Sequence, residues 1–130
     1  MIKSLSVVIP FFNESARINK SLGKIKKFII KNKRLKIEIL LVNDGSTDSS
    51  LKAISTFLKK NNSVKSKIKI LNLKSNLGKG AALKKGVLSS KFEWILTSDM
   101  DLSVDLFEIN EWVKNGVLNY NSQIFFGSRE

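Results

Sequence analysis

Short apolar runs alternate with longer amphipathic stretches along this chain. Residues 5–10, 37–42, 68–73 and 94–99 are rich in branched aliphatic side chains, a composition that predicts four strands. The run 123–126 predicts a fifth strand. Between the runs, apolar residues recur three and four positions apart, which predicts amphipathic helices. The expected order is therefore a strand followed by four helix–strand units.

Alternation of strands and helices predicts an α/β fold: a three-layer sandwich with a mainly parallel sheet and helices on both faces. The first two runs are almost wholly apolar, as expected for strands covered on both sides. The third run alternates apolar and polar residues, which favours a place nearer the sheet edge. Neither a repeat nor a linker interrupts the pattern, so residues 1–130 are expected to form a single domain.

Polar and charged residues cluster directly after the predicted strands. In parallel sheets, ligands bind outside the carboxyl ends of the strands, near the point where strand order reverses. A purely structural role does not predict such clustering, so we expect a functional site at this edge of the sheet. Its candidates, in chain order, are Asn13 and Glu14, Asp44, Asn76 to Gly80, Asp99 and Asp101, and Gly127 to Arg129.

Asp99 and Asp101 end the fourth run, with one residue between them. In an extended backbone such residues point to the same side, so both carboxylates are expected to face one site. A hard divalent cation such as Mg2+ or Mn2+ would relieve their repulsion and suits oxygen ligands. The alternative is that both aspartates simply end a strand and begin a turn.

Composition removes several kinds of chemistry. The sequence contains neither cysteine nor histidine, which excludes disulfides, thiolate metal sites and histidine-based catalytic triads. The formal net charge is +12, yet only three of the 23 basic residues are arginine, and the lysines are scattered. This distribution favours a solvated surface, with weak affinity for an anionic membrane surface or phosphates as the second option, and no nucleic-acid partner is expected.

The N-terminal apolar run is too short for a secretory signal, and no apolar stretch approaches the ~20 residues of a membrane helix. We therefore expect a cytoplasmic chain. Two nucleotide-binding motifs are also missing: no Gly-x-Gly-x-x-Gly follows the first strand, and no Walker loop occurs. What remains is an acidic, metal-capable site beside a glycine-rich helix start, which suits a nucleoside diphosphate linked to another group.

Four motifs occur in order at the predicted strand ends: Val-Val-Ile-Pro-Phe-Phe-Asn-Glu, Leu-Val-Asn-Asp-Gly-Ser-Thr-Asp, Asn-Leu-Gly-Lys-Gly-Ala-Ala and Ser-Asp-Met-Asp-Leu-Ser. With them, the chain from Leu5 to Arg129 resembles the N-terminal nucleotide-binding portion of a family 2 glycosyltransferase, which has a GT-A fold. Gly-Lys-Gly-Ala-Ala, Asp-Met-Asp-Leu-Ser and the late Gly-Ser-Arg are most similar to the dolichyl-phosphate and polyprenyl-phosphate β-glucosyltransferase branch.

The resemblance implies roles for eight residues. Asp99 and Asp101 would form a DXD motif that holds the sugar diphosphate through Mg2+ or Mn2+. Lys79 would approach the phosphates, although a surface lysine is an alternative reading. Arg129 would meet the diphosphate or the acceptor phosphate as a catalytic residue. The remaining residues would bind the nucleotide, with Asp44 accepting from its base or ribose: Pro10, Asn13, Glu14 and Asp44.

The implied reaction is metal-assisted, inverting transfer of a hexose from a nucleotide-sugar donor to a polyprenyl or dolichyl phosphate. UDP-glucose is the preferred donor and GDP-mannose the second. An ionised phosphate acceptor needs no general base, which is consistent with the absence of histidine. The alternatives are a non-catalytic or truncated nucleotide-sugar-binding module and a family 2 transferase that acts on a sugar hydroxyl.

The family usually continues with more sheet, an acceptor loop and membrane-associated helices. We therefore expect a C-terminally truncated GT-A domain at the cytoplasmic face of a membrane. Three alternatives stay open: the sequence is a fragment, a second chain or a homo-oligomer completes the fold, or activity has been lost.

Overall fold

A computed structural model describes residues 2–125, which form four strands and five helices. In chain order these elements are β1 (Ser4–Phe11), α1 (Ile18–Lys31), β2 (Lys36–Asn43), α2 (Ser50–Lys60), α3 (Asn62–Lys65), β3 (Ile68–Asn72), α4 (Lys79–Ser89), β4 (Trp94–Thr97) and α5 (Glu108–Lys114).

The four strands form one parallel sheet in the order β3-β2-β1-β4. β1 and β2 are central and almost completely buried, because helices cover both of their faces. β3 lies at one edge, as its alternating pattern predicts. The predicted α/β fold with a parallel sheet between helices is confirmed.

The larger core lies on the face of the sheet that α1 covers. The α1 residues Ile18, Leu22, Ile25 and Phe28 are fully buried, since they recur at helical spacing on one side. They pack against alternate side chains of β1 and β2, and α2, α3 and α5 each add a buried residue to the same cluster. The rings of Phe28 and Phe107 meet edge to face, with centroids 5.5 Å apart.

The opposite face is covered by α4. Its core is small, consisting of Val8, Leu40, Val42 and Ala82 with a few partly buried neighbours. Gly86 lets α4 approach the sheet closely, because a Cβ atom at this position would lie 2.2 Å from Cγ1 of Val8. The core on the α4 face of the sheet therefore contains far fewer buried side chains than the core on the α1 face.

The strands beside β1 end at different heights. β1 pairs with β2 as far as Phe11 and Asn43, whereas its pairing with β4 ends at Val8 and Thr97. The chain runs outward from β1 to β2 and β3 and then returns to place β4 on the other side of β1. A crevice therefore opens beyond the carboxyl end of β4, where strand order reverses.

Two details differ from the sequence-based expectation. The fourth strand ends at Thr97 instead of continuing to Asp99, and a short helix, α3, follows α2. Residues 123–125 of the predicted fifth strand do not belong to a strand, and Phe126 lies outside the described residues. Among residues 2–125, no helix has the length and apolar character that crossing a membrane would require.

Candidate active site

A cavity of about 280 Å³ occupies the crevice at the carboxyl ends of β1, β2 and β4. Six of the eight residues implied by the resemblance line it: Pro10, Glu14, Asp44, Lys79, Asp99 and Asp101. The cavity therefore brings together side chains that are up to 91 residues apart in the sequence. Arg129 lies outside the described residues.

Asp44 follows β2 and is 5% exposed. One carboxylate oxygen, Oδ1, accepts a hydrogen bond from the backbone N–H of Leu77 at 2.8 Å, and Oδ2 accepts one from the N–H of Gly78 at 3.1 Å. These two N–H groups lie just before α4, where backbone donors have no partner within the helix. Asp44 thus fixes the glycine-rich start of α4 against the end of β2.

Gly45 allows this close contact between two loops. Its φ of +72° lies in the left-handed region, and a Cβ atom there would lie 2.4 Å from the backbone nitrogen of Asn76. A side chain would therefore collide with backbone, which cannot rotate away as a flexible side chain can. Glycine at this position holds the loop after β2 against the loop before α4.

Asn13 does not line the cavity. It has a φ of +49°, and its side-chain oxygen accepts hydrogen bonds from the backbone N–H groups of Thr47 at 2.8 Å and Asp48 at 3.3 Å. Its own N–H donates to the Ser46 hydroxyl at 3.0 Å. The described contacts of Asn13 therefore tie the loop after β1 to the loop after β2.

Asp48 strengthens the same connection. Its carboxylate accepts hydrogen bonds from the N–H of Ser50 at 2.9 Å and the N–H of Ser15 at 3.1 Å. The hydroxyl of Ser50 and these N–H groups stabilise the charged form and lower the pKa of Asp48 to about 2. Ser50 also accepts from the N–H of Glu14 at 2.8 Å, so it helps position a cavity residue.

Asp99 and Asp101 line the same cavity, as predicted, but in a different backbone conformation. They lie in a turn after β4, closed by a hydrogen bond from the N–H of Leu102 to the carbonyl of Asp99 at 3.1 Å. Leu102 has a φ of +49°, and the buried Met100 lies between the carboxylates. The two carboxylates therefore share one cavity although they do not lie in an extended strand, and their role as metal ligands stays a prediction.

A long-range contact holds this turn in place. The hydroxyl of Ser21, on α1, donates to the carbonyl oxygen of Met100. Asp101 additionally accepts a hydrogen bond from the N–H of Ser103 at 3.1 Å. The turn is thus anchored through its backbone, and both aspartates remain exposed to solvent.

Lys79 is the first residue of α4, and its ammonium forms an ion pair with Oδ1 of Asp99. The two side chains are 61% and 51% exposed, so water screens the pair strongly. A positive charge thus already lies beside one of the two predicted metal ligands.

Within residues 2–125, no group of three or more histidine, cysteine, aspartate or glutamate side chains is arranged to hold a metal ion. Asp99 and Asp101 nevertheless fit a hard divalent cation that takes its other ligands from phosphates and water, as Mg2+ commonly does. The ammonium of Lys79 already lies at Asp99, so a cation at this carboxylate would share it with a positively charged side chain.

Three further residues line the cavity: Phe11, Phe12 and Met100. Sequence reasoning missed their contribution. A signal was present for each, because Phe11 and Phe12 directly follow the first predicted strand and Met100 separates the paired aspartates. They give the cavity apolar surface beside its carboxylates.

Residues 6–114 match the family described as Glycosyl transferase family 2. The chain belongs to this family. It is 36% identical to a dolichyl-phosphate β-glucosyltransferase of Dictyostelium discoideum, with 82% of this chain and 33% of that protein covered. It is 34% identical to a protein of the same description from Trichomonas vaginalis, with 96% of this chain and 40% of that protein covered. The chain thus spans one third to two fifths of these relatives' lengths.

Solved structures support the fold. A mannosyltransferase of Pyrobaculum calidifontis, in complex with GDP-Man and Mn2+, superposes with a TM-score of 0.64 at 20% identity. The match covers 76% of this chain and 27% of that chain. The family 2 resemblance and the GT-A fold expected from the motifs are both confirmed.

Proposed function

We propose that this chain carries the donor site of an inverting glycosyltransferase that moves a hexose, preferably glucose from UDP-glucose, to a polyprenyl or dolichyl phosphate. The observation that carries this proposal is the cavity beyond β4, which brings the predicted donor-site residues together at one edge of the sheet. GDP-mannose is the second candidate donor, as bound by the mannosyltransferase neighbour.

The nucleotide would occupy the part of the cavity near Pro10, Glu14 and Asp44. Asp44 already accepts from two backbone N–H groups, and a carboxylate has room for about four hydrogen bonds. It therefore retains acceptor capacity for a base or ribose. Asn13 would contribute by holding the loop after β1, and Arg129 would meet the diphosphate or the acceptor phosphate.

Asp99 and Asp101 would hold Mg2+ or Mn2+ together with the donor diphosphate. A bound divalent cation supplies Lewis-acid stabilisation of the charge that develops on the departing diphosphate, worth several kcal/mol. Lys79 lies close enough to Asp99 to add a second positive charge beside the same phosphates.

The polyprenyl phosphate acceptor is supported by the names of the relatives. Such a phosphate is ionised near neutral pH, so attack on the sugar would need no protein base. A wider groove of about 760 Å³ shares Lys79 and Asp99 with the cavity and is lined largely by apolar residues. Its lining includes the whole of β4, the edge strand of the described sheet. Work at the cytoplasmic face of a membrane would follow from a polyprenyl phosphate acceptor.

A binding module without turnover is the second candidate, because the cavity offers contacts for a donor whether or not transfer follows. Sugar transfer separates the two: the first candidate requires glucose to reach dolichyl phosphate, and the second requires donor binding alone. A transferase acting on a sugar hydroxyl would prefer an oligosaccharide acceptor to dolichyl phosphate in the same assay.

The decisive experiment is calorimetric titration of the chain with UDP-glucose, with and without Mn2+. We expect Mn2+-dependent binding that Asp99→Ala/Asp101→Ala abolishes, while circular dichroism confirms that the variant is folded. Asp105→Ala removes an exposed aspartate after the same turn and is the matched control. The absence of binding by the folded wild-type chain would contradict the proposal.

A further inference from the structure

The ion pair between Lys79 and Asp99 lies where a divalent cation and a diphosphate would bind. We propose that Lys79 competes with the divalent cation for Asp99, so that the cation binds weakly until a diphosphate draws the ammonium away. Metal and donor would then bind cooperatively. This inference rests on the proposed function of the cavity as a cation-assisted donor site.

The backbone of Lys79 is held in place, whereas its side chain can change its partner. The carboxylate of Asp44 accepts from the N–H groups of Leu77 and Gly78, the two residues that precede Lys79. The Lys79 side chain is 61% exposed, and its ammonium is carried on a flexible aliphatic stem. It can therefore exchange one anionic partner for another without movement of α4.

The ion pair between Lys79 and Asp99 is easily replaced. An exposed lysine–carboxylate pair contributes little net stability, since water and salt screen it and ordering two long side chains costs entropy. It still occupies one oxygen of Asp99 and keeps a positive charge beside the place where a cation would bind. Such a pair weakens metal binding without preventing it.

Asp101 has a different partner from Asp99: its Oδ1 accepts a hydrogen bond from the N–H of Ser103 within its own turn. This contact does not involve Lys79. The two aspartates therefore differ: one is oriented by local backbone, and the other is neutralised by a lysine from α4. Competition is expected at Asp99.

A diphosphate changes this balance because it offers the ammonium new anionic oxygens. Once Lys79 contacts a phosphate, Asp99 becomes available to the cation, and the cation in turn helps to hold the phosphate. Each ligand raises the affinity of the other by the same factor, as linkage requires. Lys79 is thus a positioning residue that couples the two ligands.

The test is Mn2+ binding to the nucleotide-free chain, followed by the electron paramagnetic resonance signal of free aqueous Mn2+. We expect Lys79→Met to bind Mn2+ about three- to tenfold more tightly than wild type, the range expected for loss of an exposed pair and of a nearby positive charge. Lys79→Arg keeps the charge and should stay within about twofold of wild type. Lys85→Met, on the same helix, loses the same charge and should also stay within that range.

A second arm repeats the titrations with saturating UDP. The factor by which UDP tightens Mn2+ binding should be at least about threefold smaller in Lys79→Met than in wild type, because the competitor is gone. In an Asp99→Asn background, Lys79→Met should change Mn2+ affinity by less than about twofold, since the competed carboxylate is absent.

Two results would overturn the proposal that Lys79 competes with the cation. Either Lys79→Met binds Mn2+ no more tightly than wild type, or neither protein binds Mn2+. Failure of the proposed function looks different. In that case UDP-glucose does not bind the wild-type chain, while the nucleotide-free Mn2+ titrations still report whether Lys79 competes for Asp99.

Discussion

Two pairs of aspartates, one in the loop after β2 and one in the turn after β4, use their carboxylates in opposite ways. On the framework side, defined by Asp44 and Asp48, each carboxylate accepts hydrogen bonds from backbone N–H groups of another segment. On the open side, defined by Asp99 and Asp101, the side chains are exposed, and one is paired with the mobile ammonium of Lys79.

The difference shows that an aspartate after a parallel strand can have a structural role, in which its carboxylate binds backbone N–H groups. On the framework side, the carboxylate oxygens accept hydrogen bonds that join the loops after β1, β2 and β3. On the open side, the carboxylates remain accessible to solvent. Substitutions on the framework side should therefore reduce stability, in addition to any effect on binding at Asp44, whereas substitutions on the open side should change binding with little effect on stability.

The largest expected effect on stability comes from Gly45→Ala, which inserts a methyl group between the framework loops. The left-handed φ costs alanine about 1–2 kcal/mol, and the collision with backbone adds to it. We expect a loss of about 3 kcal/mol or more in the free energy of unfolding, measured by urea denaturation. Gly80→Ala, where a Cβ meets nothing within 4 Å, should instead stabilise α4 by up to about 1 kcal/mol. A loss under about 1 kcal/mol for Gly45→Ala would contradict the close packing of these loops.

A smaller effect distinguishes the two sides directly. Asp44→Ala leaves the N–H groups of Leu77 and Gly78 without their acceptor, so we expect a loss of about 2–3 kcal/mol. Asp101→Ala removes an exposed side chain and should change stability by less than about 0.5 kcal/mol. Parallel urea titrations test both values, and equal losses for the two variants would remove the distinction between the sides.

The smallest effect is a pH dependence on the framework side. The pKa of Asp48 is lowered from 3.8 to about 2 in the folded chain, so its contribution to stability is present above about pH 4 and is lost as pH falls toward 2. Asp48→Asn lacks this titration. The difference in urea midpoint between wild type and Asp48→Asn should therefore shrink between pH 5 and pH 2. A difference that stays constant over this range would contradict the assigned hydrogen bonds.

Much of the fold could be predicted because buried strands and helices have apolar residues at regular spacings in the sequence. The nearly continuous apolar runs of β1 and β2 marked strands covered on both faces, and the alternation in β3 marked an edge. The run 123–126 was harder to interpret. Its described residues form no strand, and Phe125 instead packs its ring 6.0 Å from that of Trp94. A short apolar run is compatible with either arrangement.

The composition of the cavity was also largely predictable, since residues after parallel strands share one edge. Their orientations were not predictable in the same way. The turn that carries Asp99 and Asp101 is held by Ser21, 79 residues away from Met100, and Asn13 is held by residues 34 and 35 positions away. Such hydrogen bonds depend on the folded geometry and leave no periodic signal.

The contact between Asp44 and the start of α4 has a consequence for redesign. Asp44 accepts from main-chain nitrogens, so the identity of the side chain at Leu77 does not matter to this contact, and that side chain is 62% exposed. The side chain at position 77 can therefore be changed while the contact that joins the end of β2 to the start of α4 is retained. Position 77 is thus a surface site at which a label or a solubilising residue can be introduced without disturbing the loop that precedes α4.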